Sequence, residues 1–464
     1  MDTKHRSRGG RELAAAVREL YAAGQTDYAL EPMVLVDEQG DPVGRVADGD
    51  AVIFCCRRGD REVELTEAFT EKDFPHFERP WFAHLNFIIL TLYHEKFKDL
   101  PVAFAPTKIP DTLGEVVSRA GLRQLRTAES EKFAHVTFFF NGGNNVPFPG
   151  EDDLRIPSPK GIPFDQVPGL SLEQVVDQVL DGVRGGYDLI VANFANGDVI
   201  GHTANNEAKI KCAEIVDTNL GTVLEAATGE KYVILVAADH GNLEELFTDE
   251  GTAHVSHTSN PVQLIAIDPL GLSDFAVKDG ILADVAPTML SALGVEQPTK
   301  MTGVDLIPGH DWQGKRKVLL IILDGWGIGS ESASNPIYLA KTPVWDSLLK
   351  RYPHSQLQAS SEAVGLEAEK NGNSEAGHMN LGAGRVVQQD DVRLDEAMKD
   401  GSFYQNEIFC QAIEEVKQKH ARLHLFSLLT EKSSHGSIDY PLAILRMAKS
   451  GTAVLLEPWG NSWA

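Results

Sequence analysis

The sequence has few cysteines and no long apolar run. Its cysteines, Cys55, Cys56, Cys212 and Cys410, follow neither the spacing of a disulfide framework nor that of a zinc site, so we expect a reducing compartment. The N-terminal segment lacks the apolar core of a signal peptide, and no apolar run elsewhere is long enough to cross a bilayer. We therefore expect a cytoplasmic protein with no membrane partner.

The sequence also has fewer basic than acidic residues. Acidic residues number 67 and basic residues 42, which gives a formal net charge of −25. Such a charge disfavours binding to nucleic acid, so no nucleic-acid partner is expected. An anionic substrate would need local basic residues or metal ions to overcome the overall field.

The hydrophobic pattern predicts an α/β architecture with a largely parallel sheet, because short apolar strands alternate with helical stretches. The length of 464 residues favours two domains. The predicted strands are 135–140, 188–194, 232–238, 262–267 and 318–323, and the clearest helical stretches are 171–184 and 207–226. Segments 105–112 and 306–317 are polar or proline-containing and are expected to be boundaries.

Three of the predicted strands each lead to an aspartate at the carboxyl end, namely Asp198, Asp239 and Asp324. In an open α/β sheet the ligand site lies beyond the carboxyl ends of the strands. Carboxylates that share one crevice repel each other unless a cation holds them together. A single aspartate after a strand is more often a turn former or a helix cap. Three of them, two with histidines nearby, favour a metal site.

Histidines accompany these aspartates. His202 and His240 follow two of them in sequence, and a separate segment adds His254 and His257. Mixed ligation by aspartate and histidine suits borderline divalent ions such as manganese or zinc better than calcium. Two metals that share such a cluster suit phosphoryl transfer, since they polarise the phosphate and activate a nucleophile.

A glycine-rich segment, NGNSEAGHMNLGAGR at 371–385, offers Ser374 as a nucleophile. Glycine and asparagine around Ser374 predict a tight turn that exposes the hydroxyl and lets the backbone approach a phosphate. No histidine base lies beside it in a triad arrangement, so metal coordination is the natural way to lower its pKa. On spacing alone, a flexible loop without a catalytic role is an equally weighted interpretation.

The sequence resembles the cofactor-independent phosphoglycerate mutases, of the alkaline phosphatase superfamily, in the blocks LLIILDGWG, GNSEAGHMNLGAGR, AESEKFAHVTFFFNGG, NFANGDVIGHT, VAADHGN, HTSNPV and DVAPTMLSALGV. The resemblance implies an alkaline-phosphatase-like doubly wound sheet domain with a second, smaller α/β substrate domain. It also implies a glycolytic isomerase that interconverts 3-phosphoglycerate and 2-phosphoglycerate through a phosphoserine. The expected cofactors are two divalent metal ions, usually Mn²⁺, and the expected assembly is a monomer.

The resemblance further implies a role for individual residues. One metal would be held by Asp198, His202 and His257, and the other by Asp324, Ser374, Asp239 and His240. Ser374 would be the nucleophile, and Lys132 would stabilise charge on the transferring phosphate. Contacts to phosphoglycerate would come from His435, Arg58 and Arg61.

The block order differs from that of the family, as in a circular permutation. In the family the strand that ends on the residue matching Asp324 begins the chain, whereas here it follows the VAADHGN and HTSNPV blocks. We therefore expect a metal-binding phosphatase domain over 106–390 and a substrate domain split between 1–105 and 391–464. An Asp-Gly-Arg-Asp motif and an arginine-rich loop of the family are not found, which indicates a missing segment in the substrate domain. A phosphomonoesterase and a catalytically impaired, rearranged mutase remain alternatives.

Overall fold

The computed structural model describes residues 9–450 except 27–29, 31, 58–59, 107, 249, 271–274, 432 and 434. The chain divides into two compact units. The smaller unit consists of Met1–Pro106 with Arg393–Ala464, and the larger unit is Thr107–Val392. The larger unit is thus continuous in sequence, and the smaller one is formed by two separate segments.

Strands and helices alternate along much of the described chain. The strands are β1 (Ala51–Phe54), β2 (Asn86–Thr91), β3 (Val102–Phe104), β4 (Gln124–Glu129), β5 (Glu151–Ile156), β6 (Leu189–Phe194), β7 (Val233–Ala237), β8 (Val262–Ile267), β9 (Gly280–Ile281), β10 (Val318–Leu323), β11 (His354–Gln358) and β12 (Leu423–Phe426). The α-helices are α1 (Gly9–Ala22), α2 (Asp60–Thr70), α3 (Leu113–Arg119), α4 (Leu172–Gly185), α5 (Asn196–Gly201), α6 (Asn206–Gly229), α7 (Val285–Leu293), α8 (Pro336–Leu339), α9 (Pro343–Arg351), α10 (Ser374–Ala383), α11 (Asp390–Asp400), α12 (Glu407–Lys419) and α13 (Asp439–Ser450). Among the described residues, none of these helices combines the length and the apolar character that a membrane crossing requires.

The larger unit is built on a sheet with the strand order β5-β4-β6-β10-β7-β8-β11-β9. The strands from β5 to β7 in this order pair in parallel, whereas β8 pairs antiparallel with both of its neighbours. Every residue of β6, β7 and β10 is buried, as expected for strands that are covered on both faces. The predicted α/β class with a largely parallel sheet is confirmed.

Strand β10 lies between β6 and β7, and its register brings three carboxyl ends to the same edge. Leu323 pairs with Phe194, and Ile322 pairs with Ala237. The residues that follow these strands therefore begin at neighbouring points of one edge. This edge is where open α/β sheets bind their ligands.

The predicted strand at 135–140 is wrong, because His135–Phe139 form a π-helix. Val136 and Phe140, four residues apart, are fully buried, while the residues between them are partly exposed. A short apolar run cannot be told from a buried helical segment by periodicity alone. The strand of this region is instead β4, in which every residue is buried. Its glutamine, arginine and threonine residues interrupt the apolar pattern by which a buried strand is predicted.

The smaller unit contains a sheet with the order β12-β1-β2-β3, and all of its strands pair in parallel. Alternate residues of β1 enter two separate hydrophobic clusters. Ile53 belongs to a cluster with Phe409 of α12 and Tyr440 of α13, whereas Val52 packs with Phe87. Both faces of this sheet are therefore covered by apolar side chains.

The segment 306–317, expected as a polar connection, is packed within the larger unit. Trp312 and Arg316 are buried. Arg316 Nη1 donates to Asp268 Oδ1 at 2.8 Å, and His310 Nε2 lies 3.1 Å from Asp268 Oδ2. Two basic residues of this segment, His310 and Arg316, are therefore paired with a buried carboxylate instead of being solvated.

The cysteines differ sharply in accessibility, since Cys410 is exposed and Cys55, Cys56 and Cys212 are buried. Burial raises the pKa of Cys55 and Cys212, and it raises the pKa of Cys56 to about 11. Because the thiolate is the reactive species, we expect an aromatic disulfide reagent to titrate Cys410 alone in the native protein and all cysteines after denaturation. Cys410→Ser should remove the native signal. Rapid labelling of any thiol in the native form of that variant would contradict this expectation.

Candidate metal centre

Asp198, His202 and His257 bring three potential ligand atoms together at the carboxyl edge of the large sheet. Asp198 lies in the first turn of α5, and His202 caps the end of that short helix. His202 Nε2 lies 3.2 Å and His257 Nε2 lies 3.1 Å from Asp198 Oδ1. The two imidazole nitrogens are 3.1 Å apart.

The opposite nitrogen of each of these two imidazoles faces a backbone carbonyl. His202 Nδ1 lies 2.9 Å from Val255 O, and His257 Nδ1 lies 2.9 Å from Gly372 O. A carbonyl can only accept, so each Nδ1 carries a proton and each ring directs its Nε2 at Asp198. Two imidazole nitrogens and a carboxylate oxygen at one point are a donor set that suits a borderline divalent cation.

Ser374, Asp239, His240 and Asp324 form a second group. Ser374 Oγ lies 2.9 Å from His240 Nε2 and donates to Asp324 Oδ1 at 3.2 Å. His240 Nε2 lies 3.4 Å from Asp239 Oδ2 and 3.5 Å from Asp324 Oδ1. Asp239, His240 and Asp324 are fully buried. A serine hydroxyl is thus held against two ionisable side chains in the interior.

His240 lies between the two groups. Its ligand atom is within 4.8 Å of those of Asp239 and Asp324, and equally within 4.8 Å of those of Asp198 and His257. The two groups therefore adjoin in a single crevice. His254, from the same segment as His257, lies elsewhere, with its Nε2 3.8 Å from Glu245 Oε2.

Asp239 shows how well the donor set suits a divalent ion. Its Oδ1 accepts from the backbone N–H groups of His240 at 3.1 Å and Gly325 at 3.2 Å. Its Oδ2 is buried and accepts no hydrogen bond. The Nδ1 of His378 lies 3.2 Å from that oxygen, and it also lies 2.9 Å from Ser374 O. A buried carboxylate oxygen without a donor is costly, and a cation in the crevice would satisfy it.

Lys132 places its ammonium against both groups. Its Nζ donates to Asp198 Oδ2 at 2.6 Å, to Asp324 Oδ1 at 2.8 Å and to Ser374 Oγ at 2.5 Å. Burial would lower the pKa of Lys132, but the carboxylates of Asp324 and Asp198 outweigh it and raise that pKa. Lys132 therefore remains a charged donor inside the crevice, and a solvated surface lysine is excluded.

The same charges shift the neighbouring side chains. Burial would lower the pKa of His240, but Asp239 and Asp324 outweigh it and raise the pKa to about 10. Burial would raise the pKa of Asp324, but Lys132 and His240 lower it below its ordinary value. The crevice therefore stabilises positive charge, which is the electrostatic condition for holding cations.

Ser374 opens helix α10, whereas an exposed tight turn was expected. The side chain of Asn373 accepts from the N–H of Ala376 at 2.9 Å and so caps the helix. Ser374 is only 5% exposed. A Cβ on Gly377 would lie 2.6 Å from Asp239 O, so glycine is needed where α10 approaches the end of β7. Gly377 thus allows close packing of the helix.

Two buried residues that sequence reasoning missed support the second group. Asn193 Nδ2 donates to Asp324 Oδ2 at 2.6 Å and lies 2.9 Å from His378 Nε2. Both Asn193 and His378 are fully buried. The available signals were a polar residue inside the apolar strand β6 and a histidine four residues after Ser374, on the same helix face.

Asn193→Leu should weaken binding of Mn²⁺ by about tenfold or more, because Asp324 Oδ2 would lose the donor that orients it. Titration calorimetry with MnCl₂ measures this effect. Asn219→Leu is the control, since Asn219 donates only to the backbone oxygen of Ile215 on the same helix. Equal Mn²⁺ affinities in the two variants would contradict a role for Asn193 in orienting Asp324.

The three residues expected to contact phosphoglycerate belong to the smaller unit. Arg58 lies outside the described residues, and so does the side chain of Arg61, whose backbone is part of α2. His435 is half-buried, and its carbonyl accepts from the N–H of Arg57 at 2.8 Å. Substrate contacts by these residues remain predictions.

The chain is similar in sequence to known phosphoglycerate mutases. The chain is similar to the 2,3-bisphosphoglycerate-independent phosphoglycerate mutase of Syntrophotalea carbinolica, with 46% identity over 63% of this chain and 57% of that protein. The mutase of the same description from Moorella thermoacetica is 45% identical over 63% of this chain and 56% of that protein. A solved structure of Leishmania mexicana phosphoglycerate mutase at low cobalt concentration is 27% identical, with a TM-score of 0.47 over 63% of this chain and 57% of that chain. The chain thus spans little more than half the length of these proteins.

A family model covers most of the chain. The metalloenzyme superfamily matches residues 23–297 and 316–440. The match includes every candidate ligand described above. The chain belongs to the metalloenzyme superfamily.

Proposed function

We propose that the chain interconverts 3-phosphoglycerate and 2-phosphoglycerate through a phosphoserine on Ser374. The observation that carries the proposal is the position of the Ser374 hydroxyl, which contacts His240, Asp324 and Lys132 in a buried crevice. The 46% identity to a phosphoglycerate mutase over 63% of the chain supports the substrate class. Two divalent ions are the proposed cofactors, and Mn²⁺ is the proposed metal.

The two groups of side chains supply the proposed metal ligands. One ion would be held by Asp198, His202 and His257, and the other by Asp324, Ser374, Asp239 and His240. When bound, such ions lower the pKa of the serine hydroxyl and neutralise charge on the phosphate. The adjacency of the two groups through His240 supports a shared phosphate site.

The reaction is a pair of displacements at phosphorus. The bond between Ser374 Oγ and phosphorus forms while the bond to the 3-oxygen of glycerate breaks; the serine loses its proton, and the 3-oxygen gains one. The 2-hydroxyl then attacks the phosphoserine, loses its proton and returns Ser374 to a free hydroxyl. Lys132, already 2.5 Å from Ser374 Oγ, donates to the phosphate oxygens in both steps.

The smaller unit is the proposed substrate domain. Arg58 and Arg61 would bind the carboxylate or phosphate of phosphoglycerate through their planar guanidinium groups, and His435 would contact the same molecule. These basic groups would offset the net charge of −25 where the substrate binds. We further propose that the protein is a cytoplasmic monomer of glycolysis with a circularly permuted block order.

The decisive experiment follows both products of one incubation. Purified protein is incubated with MnCl₂ and 3-phosphoglycerate, and 2-phosphoglycerate and free phosphate are measured against a reaction without MnCl₂. Formation of 2-phosphoglycerate supports the mutase. Free phosphate alone would replace it with a phosphomonoesterase, in which water takes the phosphate from Ser374. The absence of both products would contradict both activities.

A further inference from the structure

Glu244 is a buried carboxylate that belongs to neither group of proposed metal ligands. It is 1% exposed. Its Oε2 accepts from the backbone N–H groups of Asn242 at 2.8 Å and Gly327 at 3.0 Å. Its Oε1 accepts from Asn260 Nδ2 at 2.9 Å and from the Thr258 hydroxyl. Both carboxylate oxygens are therefore satisfied by neutral donors.

The donors come from three segments that each carry a proposed metal ligand. Asn242 lies two residues after His240, Thr258 directly follows His257, and Gly327 lies three residues after Asp324. The three segments also contact each other, since the Thr258 N–H donates to Gly241 O at 2.9 Å and the Leu243 N–H donates to Gly325 O at 2.8 Å. One carboxylate thus lies at the meeting point of all three.

The backbone around Glu244 leaves no room for other side chains. A Cβ on Gly241 or on Gly327 would lie 2.3 Å from Glu244 Oε1. Contacts this close are not tolerated, so glycine at both positions lets the backbone approach the carboxylate. The sequence around two of the proposed ligands is therefore adapted to Glu244.

A second buried charge holds the segment that connects Glu244 to His257. Lys209 of α6 is fully buried, and its Nζ donates to His254 O at 2.6 Å and to Glu245 O at 3.4 Å. The segment is thus fixed at one side by α6 and at the other by Glu244.

We propose that Glu244 is a positioning residue of the metal centre, which sets the spacing of His240, His257 and Asp324 through their three segments. This inference rests on the metal site of the proposed function. A carboxylate is required because all partners of Glu244 are donors, and an ionised carboxylate is the acceptor-only group. A glutamine of the same shape would direct its own N–H₂ group at one pair of donors.

The test compares Glu244→Gln with Glu245→Gln, using Mn²⁺ as the probe in titration calorimetry. Glu245 is the adjacent, half-exposed carboxylate, whose Oε1 accepts from Asn260 at 2.9 Å. Glu244→Gln should weaken Mn²⁺ binding by about tenfold or more, the usual consequence of losing a group that orients metal ligands. Glu245→Gln should remain within about twofold of the parent, since an exposed carboxylate contributes little.

Each result has one meaning. If the parent protein binds no Mn²⁺, the proposed metal site is wrong and this inference falls with it. If the parent binds and Glu244→Gln matches it, even with a lower melting temperature, Glu244 is only structural and the positioning role is wrong. Should Glu244→Gln fail to fold, Thr258→Val decides, because it removes one donor and keeps the carboxylate. Thr258→Val should weaken Mn²⁺ binding about threefold or more, and unchanged affinity would overturn the proposal.

Discussion

Ser374→Ala is expected to lower phosphoryl transfer by about 10⁴-fold or more, the scale seen when a nucleophile is removed from an enzyme. The physical reason is the position of the Ser374 hydroxyl, 2.9 Å from His240 Nε2 and 2.5 Å from Lys132 Nζ. Alanine would leave those groups in place but remove the oxygen that accepts the phosphoryl group. If the smaller unit binds phosphoglycerate as proposed, that binding should be little changed.

The measurement combines turnover with mass spectrometry of the protein after brief incubation with 3-phosphoglycerate. The parent should carry one added phosphoryl group on the peptide with Ser374, and Ser374→Ala should carry none. Ser360→Ala is the matched control, because Ser360 is also buried and its hydroxyl donates only to Ser259 O at 3.1 Å. Substantial turnover by Ser374→Ala would show that the reaction does not pass through this serine.

Removal of divalent ions is expected to reduce turnover by at least about 10³-fold, because the electrostatic stabilisation of the transferring phosphate would be lost. The crevice holds the carboxylates of Asp198, Asp239 and Asp324. Lys132 forms ion pairs with Asp198 and Asp324. Without metal ions, the three carboxylates and an anionic substrate share the crevice with the ammonium of Lys132 and with His240, whose pKa is raised to about 10. Repulsion would then oppose both binding and transfer.

This prediction is tested by dialysis against a chelator, followed by addition of single metals. MnCl₂ should restore turnover and raise the melting temperature, since an ion that binds only the folded state stabilises it. CaCl₂ is the control and should restore least, because calcium prefers oxygen ligands and this site offers imidazole nitrogens. Full turnover after complete removal of metals would contradict the proposed chemistry.

The parts of the molecule that could be predicted from sequence are those governed by local patterns. Continuous apolar runs identified β6, β7 and β10, and the rule for open α/β sheets placed Asp198, Asp239 and Asp324 at one edge. Nothing in such a pattern gives distances. The contacts of Lys132 with residues 66 and 192 positions away could only come from the folded chain.

The errors and omissions have physical causes. The run at 135–140 is too short for its period to distinguish a strand from a helix, and its aromatic residues favour the strand. Ser374 was placed in a turn because glycine and asparagine favour turns, yet Asn373 acts as a helix cap. Asn193 and Glu244 were missed because most of their hydrogen-bond partners come from other segments of the chain.

Diffraction at the manganese absorption edge, from crystals soaked in MnCl₂, tests the central claim most directly. The account predicts two anomalous peaks in the crevice of the larger unit. One should lie among Asp198, His202 and His257, and the other should contact Ser374 Oγ together with Asp239, His240 and Asp324. A crevice without anomalous density, or with peaks only at surface carboxylates, would contradict a two-metal phosphoryl-transfer site.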